Sequence, residues 1–230
     1  MSCEKPNVKY AYTFYSQEVD TETFESILKF IYTGDDVVNE DNVDNILRAA
    51  TMLQINCLRE RCEDFMSDNV DPENCISLWK LASAHGCEYL TKKARSYVLD
   101  YFTDLWTTDE FVMLDLDSLL SIITDNDLKT PNEEMVCEAV LKWLNRDLDT
   151  RKQHIGKLFE HLRLPLMQPE YLLSTVDNNE LVRECRECGR YIEEAKRYHL
   201  LPARRQEFVS ARLVHRNHGE YEEVTSLPQS

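Results

Sequence analysis

Apolar and polar positions alternate along this chain mostly at helical spacing. The clearest stretch runs from Thr130 to Leu166. Met135, Val136, Ala139, Val140, Trp143 and Leu144 recur at three- and four-residue intervals, which predicts one broad apolar helix face. Thr130 and Glu133 stand at capping-box spacing, with Pro131 suited to the first helical position. Glu138 precedes Lys142 by four residues on the wet side, a spacing that predicts a helical ion pair. A second helix, about Thr150 to His161, offers Ile155, Leu158, Phe159 and Leu162. Two one-sided helices must bury those faces against each other or against neighbours, so the stretch reads as one hairpin of a helical stack.

The same pattern extends both ways. Thr13-Phe14-Tyr15 is a short β-prone run. Asp20 or Thr21 caps a helix carrying Phe24, Ile27, Leu28 and Ile31, and Gly34 is a natural left-handed stop. Val43, Ile46, Leu47, Ala50 and Leu53 form a second stripe; Leu58, Cys62, Phe65 and Met66 form a third. Asp71-Pro72-Glu73-Asn74 opens a helix with Cys75, Leu78, Trp79 and Ala82, which His85-Gly86 closes. Leu90, Ala94, Tyr97, Val98 and Tyr101 mark the next. Short helices are predicted near Thr108–Met113 and Ser118–Thr124, the latter capped by Asp117. A further short one follows Pro169, and a longer one spans about Glu180–Arg197. Periodicity fades after Pro202. The expected fold class is mainly α, built of stacked antiparallel helix hairpins with at most one or two short strands.

Composition narrows the function. The chain has 230 residues, five glycines and a net charge of −16. So few glycines argue against phosphate-cradling loops. Residues 1–150 hold 13 basic and 30 acidic groups, whereas residues 151–230 hold 13 and 12. An acidic surface repels nucleic acid and anionic membrane and suits a basic protein partner or none. No apolar run approaches the ~18 residues that a membrane helix needs. Eight cysteines without an apolar leader read as reduced thiols of a cytosolic or nuclear protein.

Candidate chemistry is sparse. Cys185 and Cys188 form a CxxC. Zinc or redox work would need a second ligand pair or a strand–helix setting. Leu181, Cys185, Cys188 and Ile192 share a helical stripe, which favours core packing, with metal binding as the alternative. His215 and His218 lie far off in the presumed tail. His85, His154, His161 and His199 read as capping, surface or packing residues. Asp115-Leu116-Asp117 and Asp125-Asn126-Asp127 lack the loop of a calcium site and read as caps. No GxSxG, P-loop or HExxH pattern occurs. No enzyme, cofactor or metal is expected.

The order of several segments resembles a known family. Phe24-Glu25-Ser26-Ile27-Leu28-Lys29-Phe30-Ile31-Tyr32-Thr33-Gly34 and Asn42 through Met66 resemble the late helices of a BTB/POZ domain. Asp71-Pro72-Glu73-Asn74-Cys75 and Ala84-His85-Gly86-Cys87 resemble the start of a BACK domain. Glu133-Glu134, Trp143, Arg163-Leu164-Pro165-Leu166, Pro169-Glu170-Tyr171-Leu172 and Glu194 through Pro202 resemble the rest of it. The resemblance, over about residues 13–205, is to the BTB-BACK-Kelch (Kelch-like) proteins. It implies a C-terminal part of a BTB domain at 13–68 and a BACK domain at 69–202; outside it, the polar, irregular segment 1–12 is expected to be disordered and the weakly periodic 203–230 to be a flexible tail. It also implies a non-catalytic substrate adaptor of a cullin-3 RING ubiquitin ligase, without nucleic-acid or membrane contacts. The cullin-3 N-terminal domain is the implied partner. Leu78, Trp79, Ala82, Tyr97 and Tyr101 are the residues that would line its groove. The family is homodimeric. Because the dimer-forming part of BTB and the Kelch propeller are not recognised here, a monomeric fragment is expected. The alternative is a regulatory piece that does not engage cullin and competes with full-length relatives.

Overall fold

The computed structural model describes residues 19–208 and 210–217. Every regular element among them is helical, in keeping with the fold class read from the periodicity. The β-prone run at Thr13–Tyr15 and the 1–12 segment lie outside the described residues. The chain divides into two compact units, residues 1–97 and 98–230.

In the first unit, helix α1 (Thr21–Thr33) starts where Asp20 accepts hydrogen bonds from Thr23 N at 2.8 Å and Thr23 Oγ1 at 2.7 Å. It stops at Gly34, whose φ of 73° is the left-handed stop. Helices α2 (Val43–Met52) and α3 (Asn56–Asp68) pack as an antiparallel pair. Ile46, Leu47, Ala50, Leu58 and Cys62 are sealed between the elements. Gln54 makes the turn at a positive φ of 57°. Helix α4 (Cys75–His85) packs on α2 and buries Cys75, Ile76, Trp79 and Ala82. Asn74 stands at its N-cap position but turns its Oδ1 back to Asp71 N, while the Asp71 carboxylate accepts from the backbone N–H groups of Glu73 and Asn74. Gly86, at φ 67°, ends it. Helix α5 (Glu88–Asp100) follows, and the boundary between the units falls within it.

The second unit begins with short helices α6 (Phe102–Leu105), α7 (Asp109–Val112) and α8 (Leu116–Ile123). Phe102 and Phe111 meet edge to face at 5.7 Å. The cap of α8 is Asp115, not Asp117; its carboxylate takes Ser118 N and Oγ, both at 2.8 Å. The long helix α9 (Glu133–Arg146) buries Val136, Cys137, Ala139, Val140, Trp143 and Leu144. Trp143 Nε1 donates to Leu114 O at 2.8 Å, and the Arg151 guanidinium lies 4.0 Å from the Trp143 ring.

The start of α9 differs from the expected capping box. Asn132 is the cap, accepting from Met135 N at 2.9 Å, and Pro131 stays outside the helix. Thr130 Oγ1 donates instead to Asn132 O. Glu133 is thereby released from capping and turns inward. Glu138 and Lys142 also take other partners than each other: Tyr171 Oη donates to Glu138, and Lys142 donates to Thr107 O.

Beyond α9 come α10 (Leu148–Arg151), α11 (Ile155–His161) and α12 (Pro169–Tyr171), then a π-turn over Leu172–Val176. The helix expected over Glu180–Arg197 is two helices, α13 (Glu180–Glu184) and α14 (Arg186–Leu200). They break at Cys185, which is extended at φ −96° and ψ 114°. Helix α14 packs on α11.

The segment Ser210–Asn217, expected within a flexible tail, is docked on the second unit. Arg216, with no exposed side-chain surface, grips Glu133 with Nε to Oε1 at 2.8 Å and Nη2 to Oε2 at 3.0 Å. It also donates to Ile123 O and Asp125 O. Arg163 Nε lies 3.9 Å from Glu133 Oε1, the oxygen that Arg216 Nε holds, and the Arg163 guanidinium donates to Asn126 Oδ1 and Val214 O. A charged residue on a weakly periodic segment reads as solvated. Here it is buried because a carboxylate and two carbonyls satisfy four of its donors.

Candidate interaction surface

The five residues taken from the resemblance occupy different settings. Leu78, on α4, is half-buried at the surface. Trp79 at 7% and Ala82 at 0% exposure belong to the core beneath it. Tyr97, on α5, is half-buried. Tyr101, in the turn after α5, is 41% exposed and belongs to the second unit.

Leu78 opens into a trough of about 650 Å³ formed by α2 and α4. Leu78, Leu81 and Ala84 supply its apolar surface, with Asp44, Arg48 and His85 at its edge. The geometry follows from helical spacing: 78, 81 and 85 share the face of α4 turned toward α2, whereas 75, 79 and 82 turn to the core. Leu81, Ala84, Asp44 and Arg48 were not singled out by sequence reasoning. Leu81 is three residues from Leu78, and that spacing was the signal available. Partial burial beside Arg48 depresses the His85 imidazole below its ordinary range; desolvation is the larger cause, and Asp44 opposes it.

The remaining candidates fall into place individually. Burial pushes the Cys62, Cys87 and Cys137 thiols up to about 12, so they pack as small hydrophobes. No disulfide joins the described cysteines. No group of three or more His, Cys, Asp or Glu side chains is placed to hold a metal ion among the described residues. Asp125 turns its carboxylate to Asp127 N, and Asn126 and Asp127 bind Arg163 and Asn217. His199 sits half-buried on α14 with its Nε2 enclosed and unpartnered. Among the described residues, no helix is long and apolar enough to cross a membrane.

The all-helical architecture of the described residues is consistent with a BTB–BACK interaction module, and comparison with known families supplies the class. The BTB/POZ domain matches residues 2–70, and BACK (BTB And C-terminal Kelch) matches residues 75–177. The chain belongs to the BTB–BACK, Kelch-like family. It is 39% identical over 188 residues to Kelch-like protein 17 of Mus musculus and of Homo sapiens, covering 82% of this chain and 29% of theirs. It is 37% identical over 186 residues to Kelch-like protein 3 of Bos taurus, covering 81% of this chain and 32% of that protein. The chain thus spans less than a third of the length of these relatives.

Proposed function

We propose that this chain is a non-catalytic binding module of the cullin-3 adaptor type, and that the trough on α2 and α4 belongs to its cullin-facing surface. The observation that carries the reading is the half-exposed Leu78–Leu81 pair, held in the open by a helix whose other face is anchored in the core through Trp79 and Ala82. An apolar patch on a rigid base, edged by charge, suits a partner that inserts an aliphatic or aromatic side chain. Tyr97, half-buried on α5, is the further residue of the first unit that this reading includes. The acidic first 150 residues would steer a basic segment toward it. Similarity to Kelch-like proteins supports the reading, and the compartment proposed with it is the cytosol or nucleus.

The test is calorimetric titration of the chain with the cullin-3 N-terminal domain. The expected dissociation constant is about 10 µM or tighter, and Leu78→Asp weakens it about tenfold or more. Absence of binding by the unaltered chain would favour the alternative of a module that competes with relatives without engaging cullin. Equal binding by Leu78→Asp would remove the trough from the interface.

A further inference from the structure

The break between α13 and α14 puts the CxxC in a setting that a continuous helix would not supply. Cys185 is extended and caps α14: its carbonyl accepts from Gly189 N at 3.2 Å. Cys188 lies in the first turn, fully buried. A cap and the residue three positions on are separated by about 5–6 Å between Cα atoms, which is the range a disulfide spans without backbone movement.

Access to them is unequal. Cys185 is half-buried and lines an open cleft of about 720 Å³, with Lys152, Lys157, Leu181 and Tyr191 among its walls. Its Sγ rests against α11 where that helix has no side chain: a Cβ added at Gly156 would stand 3.6 Å from it. The thiol donates to Glu187 Oε2 at 3.4 Å. Cys188 is fully buried and does not line the cleft. Burial keeps the Cys188 thiol well above its ordinary range.

We propose that Cys185 and Cys188 form a peroxide-responsive dithiol, with Cys185 as the sulfur attacked first and Cys188 as the one that resolves it. In the first step Cys185 Sγ attacks a hydroperoxide. An S–O bond forms, the O–O bond breaks, and one water leaves with the thiol proton. In the second step Cys188 Sγ attacks the sulfenic sulfur. The S–S bond forms, the S–O bond breaks, and the hydroxyl leaves as a second water carrying the Cys188 proton. Two thiols and one hydrogen peroxide thus become one disulfide and two waters. The Cys185–Glu187 hydrogen bond is lost in the oxidised form.

The chain is suited to a direct readout, because Arg183, Arg186 and Arg190 bracket the two cysteines. Trypsin releases Glu184-Cys185-Arg186 and Glu187-Cys188-Gly189-Arg190 as separate peptides unless a disulfide joins them. The full reduced chain is treated with a few equivalents of hydrogen peroxide, blocked with N-ethylmaleimide, digested and weighed. The expected product is the joined pair, two hydrogens lighter than the sum of its parts and separated by dithiothreitol. In Cys188→Ser, Cys185 is expected to stop at a sulfenic acid that dimedone traps. In Cys185→Ser, Cys188 is expected to remain a thiol. Cys57, also half-buried, serves as the internal comparison. Recovery of both peptides as maleimide adducts after Cys57 has been oxidised would overturn the proposal, as would over-oxidised Cys185 beside an intact Cys188 thiol.

Discussion

Replacing Arg216 with alanine should destabilise the second unit far more than its place near a chain end suggests. The side chain is wholly enclosed and makes a two-pronged contact with Glu133, itself 7% exposed, together with bonds to two backbone carbonyls. Removing one partner of a buried ion pair costs about 3–5 kcal/mol, because the remaining charge stays desolvated. Arg163, 3.9 Å from the same carboxylate, offsets part of that, so the lower end applies: about 3 kcal/mol. For a unit of this size such a loss lowers the melting temperature by about 10 °C. Thermal denaturation followed by circular dichroism, repeated in urea, measures it. Arg216→Lys should recover little, since an ammonium cannot reproduce the planar fork. Glu133→Gln with Arg216→Met should cost less than the sum of the two single changes, because neither leaves the other charged and alone. A loss under about 1 kcal/mol for Arg216→Ala would refute the reasoning, and would mean that 210–217 leaves its seat at little cost.

Three other changes probe separate contacts. Trp143→Phe keeps the packing but strands Leu114 O, and should cost about 1–3 kcal/mol in urea denaturation. Gly86→Ala meets no atom within 4 Å, so its cost is that of a left-handed backbone alone, about 1 kcal/mol, seen as a fall of a few degrees in melting temperature. Burial first, and then Arg205, depress the His199 imidazole, while the nearby Met167 backbone opposes them. A histidine with a folded pKa below its unfolded value of about 6.5 stabilises fully above that pH. The benefit is lost as pH falls from there through the folded value. Melting temperature should therefore drop on acidification below about pH 6.5, and His199→Phe should flatten that drop.

Local chemistry was legible wherever a residue's partner lies within a turn or two. Asp20 caps α1 through Thr23, and Gly34 and Gly86 end their helices, because a cap and a left-handed stop are set by backbone geometry over four or five residues. The apolar stripes of α2, α3, α4 and α9 became buried faces because a helix with one apolar side has a single favourable way to turn. Where two short-range solutions competed, sequence reading chose one and tertiary contacts the other. Thr130 and Glu133 have the spacing of a capping box, yet Asn132 caps and Glu133 is drawn inward by Arg216, 83 residues away. Leu181, Cys185, Cys188 and Ile192 have the spacing of one helix, yet the helix breaks at Cys185, beside Gly156 of α11.

Sequence alone determined that the described residues fold as amphipathic helices, because period, caps and stops are written in neighbouring residues. Tertiary structure alone decided which charges are buried, which face of α4 stays open and which of two cysteines meets solvent. Those outcomes depend on what another helix, distant in the chain, brings alongside, and no local pattern encodes the identity of that neighbour.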